Sequence, residues 1–309
     1  MHVHLDPVGG LAGDMFVAAL LDAFPPLEER VQAGVRAAGL PSRFRCEVVR
    51  HHDGVLQGRR FVVHEDGIQH AHPHPHGDGD VSEPADTHLG AHARDHEHGH
   101  RPFAEIRAAL HAAPLSDSVR DIALAVFGGV AEAEADAHGT SVDAVSFHEL
   151  GEWDSIADIV AAAVLIDALG SATWSIGALP LGGGFVPSAH GLIPVPAPAT
   201  TWLLRGLAVR DDGIGGERVT PTGAAIARYL VSRPGVPPRE RRLLGTGLGF
   251  GTRRLPGLSN CVRAVVFDGA PAVGIESATD DREDRVLAIE FDVDDQSPED
   301  LALAADHVR

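Results

Sequence analysis

Apolar positions along the chain follow two periods, and the switches between them predict the elements. Residues 2–6 (His-Val-His-Leu-Asp) alternate as a short strand does. The next stretch, Pro-Val-Gly-Gly-Leu-Ala-Gly-Asp, leads into the apolar run Met-Phe-Val-Ala-Ala-Leu-Leu, so strand, glycine turn and helix follow in order. Gly9, Gly10 and Gly13 permit tight turns, and Asp14 suits a helix cap. A second helix is expected over 26–38. Residues 43–50 and 55–64 alternate around His51-His52-Asp53-Gly54, where Asp-Gly marks a hairpin. Helical spacing returns at 103–111 and breaks at Pro114. Ser116 opens a longer helix to about residue 137, closed by Gly139, with Glu132, Glu134 and Asp136 on a solvated face. A very apolar helix covers Asp154 to Leu169. A strand over 173–179, a short helix over 198–205, a helix opening at Gly223 and a strand over 260–267 complete the pattern.

This is a mixed α/β (α+β) fold, with strand–glycine turn–helix units around a mixed sheet and a disordered histidine-rich insert. The expected boundaries are an N-terminal α/β part at 1–65 and the insert at 66–101. The main part of the same domain follows at 102–267, then a linker at 268–284. Residues 285–309 supply one strand and the start of one helix, too little to bury a core, so they read as the start of a truncated C-terminal domain.

The insert changes the functional picture first. Nine of the 19 histidines lie between His70 and His100. His70, His72, His74 and His76 alternate with Ala and Pro; His92, His96, His98 and His100 are interleaved with Asp95 and Glu97. Prolines 73 and 75 exclude a regular helix, and so few apolar residues predict a mobile loop. Neutral imidazoles suit nickel, zinc, copper or cobalt, and not the all-oxygen shells of magnesium or calcium. The plainer alternative is a solvated low-complexity linker.

Composition bounds the rest. The 309 residues are 44% hydrophobic, enough for two domains with a core. A formal net charge of −19 repels nucleic acid and anionic membranes. The sequence has no lysine, which excludes a Walker A loop, a protein kinase site and Schiff-base chemistry. Phosphate binding then falls to arginine, backbone N–H groups or a bridging metal. Cys46 and Cys261 form no CxxC, give no thiolate metal site, and are expected to be buried as small apolar residues. The apolar run 156–169 is interrupted by Asp158 and Asp167 and is too short to span a bilayer. With no signal pattern at the start, the expectation is a cytoplasmic protein.

Several groupings carry candidate chemistry. Asp6 ends a strand and Asp14 starts a helix; facing one crevice, they could hold a divalent cation against a substrate phosphate. A turn former and a cap explain them equally. Asp154 and Asp158 are four apart and share a helix face, with His148 and Glu149 just before them. Such a group can bind metal or move protons; capping by Asp154 and exposure of Asp158 is the alternative. A helix this apolar is buried, however, and a buried carboxylate needs a partner. Residues 179–198 read as a long Gly/Pro loop with His190-Gly191 as its chemical tip. Thr220 and Thr222 bracket Pro221, and Gly223 opens a helix whose N-terminus suits a phosphate or carboxylate; capping by Thr222 would also account for it. The stretch LLGTGLGFGTRR lacks the dinucleotide-binding spacing, and its Arg253 and Arg254 could pair with phosphate.

Together these motifs resemble the nickel-insertion proteins of the LarC type. DPVGGLAGDMF, the His-rich insert, FHELGEWDSIADIVA, LPLGGG, HGLIPVPAPAT, GERVTPTGAAI and IEFDVDDQSPED stand in the family's order over nearly the whole chain. The resemblance implies a CTP-dependent insertase of the lyase class. It places Ni²⁺ in pyridinium-3,5-bisthiocarboxylate mononucleotide, with Mn²⁺ or Mg²⁺ accompanying CTP, to mature the nickel-pincer cofactor of lactate racemase. Metallating a ring carbon expels a proton, so a base is required; His148, Glu149, His190 and Asp154 are the catalytic candidates. Asp6, Gly13, Asp14, Asp158, Thr220, Thr222 and Gly223 are the candidates for holding the nucleotide and cofactor. Asp292 stands where the family has Asn, and Gln296 where it has Met. The family's C-terminal domain, associated with nucleotide binding, continues past Arg309, which implies a separate C-terminal fragment as partner; a homo-oligomer is also compatible. Two rivals stay open: a non-catalytic nickel carrier or store, and a divalent-metal-dependent phosphate-ester enzyme.

Overall fold

Strands β1 (His2–Asp6), β2 (Phe44–His52), β3 (Gln57–Glu65), β4 (Thr173–Ile176), β5 (Leu243–Phe250) and β6 (Cys261–Phe267) form one mixed sheet. Their order is β2-β3-β5-β6-β1-β4. β1 runs parallel to β4 and antiparallel to β6, and β5 joins β6 to the β2–β3 hairpin. The computed structural model describes residues 1–65, 101–147, 153–188, 191–232 and 241–268. All belong to a unit that spans Met1–Ala272; a second unit is Val273–Arg309. The histidine insert up to residue 100, the linker after 268 and the C-terminal segment lie outside the described residues.

Helices α1 (Gly13–Ala23), α2 (Glu28–Ala37), α3 (Phe103–Ala112), α4 (Asp117–His138), α5 (Trp153–Leu169), α6 (Pro198–Leu204) and α7 (Pro221–Val231) build the other layers. α1 packs on β3, β5 and β6. α5 lies against α1 and α2, and α4 lies against α5, α6 and α7. α5 is buried almost throughout from Ile156 to Ile166, as its all-round apolar sequence requires. α4 starts where the Ser116 hydroxyl accepts the Val119 N–H and ends at Gly139 in the left-handed region. The fold is therefore the mixed α/β class that the apolar periods predict. Arg101, placed at the end of the insert by sequence, already pairs with Phe147.

Two stretches depart from expectation. The long Gly/Pro loop contains a hairpin, Phe185–Ser188 paired with Gly191–Pro194; each arm is only four residues long, too short to betray a period. LLGTGLGF, assigned no element from sequence, is strand β5. Its Gly245, Gly247 and Gly249 alternate, so one face of the strand carries no side chains. α1 occupies that face: a Cβ on Gly247 would collide with the Ala19 carbonyl, and one on Gly249 with the Met15 carbonyl. Gly245 has open space at the same position.

Gly249→Ala is therefore expected to destabilise the protein by about 1–3 kcal/mol through overpacking. Gly245→Ala should be neutral or better. Denaturant midpoints of the two variants check the contrast; equal effects would show that α1 does not rest on the strand backbone.

Candidate active site

The site grows from two turns that run side by side. The Leu11 N–H donates to the Arg218 carbonyl at 2.9 Å, and the Thr220 N–H donates to the Leu11 carbonyl at 3.1 Å. α1 and α7 consequently begin next to each other. The Arg218 side chain, 1% exposed, fixes the arrangement: its guanidinium binds both Asp212 oxygens and its Nε donates to the Gly9 carbonyl. Gly10 and Gly223 leave no room for a side chain, against the Arg218 and Leu11 carbonyls respectively.

The two helix starts are capped differently, and on α1 the cap is not the one expected from sequence. On α7 the Thr220 hydroxyl, rather than Thr222, accepts the Gly223 N–H at 3.1 Å. On α1 the N-cap is Ala12, with no side-chain bond of its own. Asp14 is not the cap; its carboxylate accepts the Met15 N–H at 2.8 Å. The α1 end faces Asp158 of α5, whose carboxylate the Asp14 N–H stabilises. Gly13 makes this possible, since a Cβ there would lie 2.8 Å from the Asp158 carboxylate and 2.9 Å from Thr222 Cγ2.

Both helix N-termini open on a cavity of about 570 Å³. Gly13, Asp14, Asp158, Thr220 and Thr222 line it, so five residues singled out separately in the sequence come together. Glu134 and His138 of α4 form the opposite side, with Val186 and Ile193 of the hairpin. A second cavity, about 460 Å³, shares Asp14, Glu217 and Thr220 and adds Arg253 and Asn260.

Burial raises the Asp14 carboxyl to about 6. The Asp154 charge adds to the shift, while the Met15 N–H and the Arg60 guanidinium oppose it. Asp158 is raised well above the ordinary carboxylate range, by burial first and then by the charges of Asp14 and Asp154. Burial also pushes the Cys46 and Cys261 thiols up to about 11, which makes both poor thiolate donors near neutral pH.

Other expected residues fall elsewhere. Strand alternation separates Asp6 from the α1 side, where Val3 and Leu5 pack, and its carboxylate binds Arg263 at 2.7 Å. It does not line the Asp14 cavity. Gly223 lies beneath the cavity wall, and Asp154 is exposed on the first turn of α5. His148, Glu149 and His190 lie outside the described residues, as do His70, His72, His74, His76, His92, His96, His98 and His100.

Sequence reasoning missed Arg60, Glu134, His138 and Glu217. The Glu134–His138 spacing of four was an available signal, and the pair meets at 3.5 Å. Among the described residues no three His, Cys, Asp or Glu side chains are grouped so as to hold a metal ion. No resident Mn²⁺ or Mg²⁺ fits them on that count. Among the described residues no helix is long and apolar enough to cross a membrane.

The family model described as nickel insertion protein matches residues 3–309. The chain belongs to the nickel insertion protein family. It is 40% identical over 97% of its length to a relative from Geobacter sulfurreducens named for nickel insertion, covering 67% of that protein. Relatives with the same printed name in Geobacter metallireducens and Myxococcus xanthus are 37% and 38% identical. They are matched over 97% and 85% of this chain, and over 67% and 59% of their own lengths. The chain thus spans about two thirds of the first of these relatives. No solved structure matches it. In this nickel insertion family member, Gly13, Asp14, Asp158, Thr220 and Thr222 reach the cavity from three separate motifs, at 6–16, 147–161 and 216–226.

The raised carboxyls have a consequence for stability. A carboxylate whose folded value exceeds its unfolded one binds more protons when folded, so stability falls as pH rises from about 4 through 6. Asp14→Asn removes the buried charge. It should stabilise the protein at pH 7 by on the order of 2 kcal/mol, and the gain should shrink toward pH 4. Thermal unfolding from pH 4 to 8 checks this, and a gain independent of pH would contradict it.

Proposed function

We propose that this cavity receives pyridinium-3,5-bisthiocarboxylate mononucleotide and that nickel is inserted there, in the CTP-dependent maturation of the nickel-pincer cofactor of lactate racemase. The observation that carries the reading is the meeting of two helix N-termini with Asp14 and Asp158 around one cavity. The Gly13 and Thr222 N–H groups and the Thr220 and Thr222 hydroxyls, at the two helix N-termini, suit the anionic groups of such a substrate. Arg253 and Asn260 in the adjoining cavity suit its phosphate. The thiocarboxylate sulfurs are soft donors and supply the nickel shell that the described residues lack. The histidine insert (His70 to His100) delivers the metal, and its imidazoles release it to sulfur. CTP with Mn²⁺ or Mg²⁺ enters through the family resemblance alone, and no step is assigned to it here.

The test mixes the protein with the metal-free mononucleotide, CTP, Mn²⁺ and Ni²⁺ and follows the product by mass spectrometry. The nickel-bearing cofactor is the expected product. Its absence, with the C-terminal part of a relative also supplied, would overturn the proposal. Deleting residues 66–101 should preserve turnover at ample free nickel and slow it when nickel is scarce. A pure carrier would lose all function, and a phosphate-ester enzyme would be indifferent to nickel.

A further inference from the structure

Metallation of a ring carbon is a substitution. Nickel takes the electron pair of the C–H bond, and the proton must be accepted by a base. The inference drawn from this rests on the function proposed above and names the acceptor.

The described part of the cavity wall carries few groups able to take a proton. Glu134 and His138 of α4 face each other at 3.5 Å. Glu217 lies before α7. Asp14 and Asp158 are built differently from these. Asp158 reaches across from α5 to the first turn of α1, where a Cβ on Gly13 would lie 2.8 Å from its carboxylate oxygen, and both carboxylates line the cavity. Gly13 clears the path, and Ile156, Ala157 and Ile159 bury the α5 backbone on either side. The two carboxylates are held together by main chain and helix packing, not by flexible side chains. Arg60 of β3 supplies the nearby positive charge; it is anchored by its Nη2 donating to the Gly251 carbonyl at 2.9 Å.

We propose that Asp14 accepts the ring proton as nickel bonds to carbon, and that Asp158 and Arg60 are positioning residues that set its state of charge. The C–H bond breaks, its electron pair becomes the nickel–carbon bond, and the proton moves to the Asp14 carboxylate and then to water. Nickel remains divalent, and no oxidant or reductant is consumed.

Two carboxylates this close do not both ionise readily. Burial raises both, Asp158 well above the ordinary range with the Asp14 charge adding to it, and Asp14 to about 6. Arg60 favours the Asp14 charge, and Asp154 on the first turn of α5 opposes it. Glu134, His138 and Glu217 face the same space, and Arg253 faces it through the second cavity.

The test is single-turnover nickel insertion from pH 5 to 8, beside binding of the metal-free mononucleotide. Wild-type insertion should rise with pH through about 6. Asp14→Asn should slow insertion by about 100-fold or more, far more than it weakens binding of the mononucleotide. Asp158→Asn keeps an acceptor for the Asp14 N–H but removes the neighbouring charge, so the midpoint should move to lower pH. Arg60→Gln should move it to higher pH. A merely structural role would lower rates without moving either midpoint. Insertion that survives Asp14→Asn, or that is lost in His138→Gln while Asp14→Asn inserts normally, would overturn the assignment. The wild-type product assay reports separately on the proposed function.

Discussion

The structure depends on one close approach, that of helix α1 to the bare backbone of strand β5. Most helix–sheet contacts are separated by side chains from both partners. Here Gly247 and Gly249 contribute none, and the main chain of α1 at Met15 and Ala19 rests where their Cβ atoms would be. That depth fixes where α1 begins. The turn before it is held from three sides: Gly9 donates to the Cys261 carbonyl at 2.8 Å, Leu11 pairs with Val219, and Arg218 binds the Gly9 carbonyl. With α1 fixed, its first turn meets α5 at Asp158, and the cavity follows from packing.

The same packing creates an electrostatic conflict. Asp158 is set in a helix that is otherwise apolar on nearly every side, and Asp14 faces it. Hydrophobic burial of α1 and α5 forces two carboxylates into one poorly hydrated corner, where their charged forms are disfavoured. Arg60 relieves the conflict only partly. Its own charge is penalised by burial, and its Nε is buried with no hydrogen-bond partner among the described residues. A fold selected for stability alone would place apolar side chains here. A strained group of ionisable residues at a cavity is what a proton-moving site requires.

Much of this was legible in the sequence, for identifiable reasons. Helix α4 announces itself by length, period and caps, α5 by its long apolar run, and the Asp53-Gly54 turn announces the β2–β3 hairpin. Gly13, Asp14, Asp158, Thr220 and Thr222 stand out because turn-then-helix junctions are local patterns. Strand β5 did not, because its signal is the absence of side chains, which reads as a loop until a helix is found filling the gap. Asp6 was misplaced beside Asp14 because closeness along the chain hides the alternation that turns Asp6 to the other side of the sheet. Arg60 belongs to the site only through tertiary packing, and nothing within a few residues of it marks it, whereas Glu134 carried only the weak signal of His138 one turn on.

The donor chemistry also bears on how a metal could pass through such a site. The described residues bring no three metal-binding side chains together, and the nearest carboxylates are hard oxygen donors whose charged forms burial disfavours. A protein that bound nickel tightly at its cavity would compete with the product it is meant to make. On the proposed function, nickel passes from borderline imidazoles upstream to soft sulfurs on the substrate, and the hard, partly neutralised oxygens at the wall hold it less well than either. On the proposed function, weak binding by the cavity is therefore a requirement of the chemistry. The absence of lysine extends the same logic: arginine gives up its proton far less readily than lysine would, so among the described residues lining the cavity carboxylates and an imidazole are the groups suited to exchange protons.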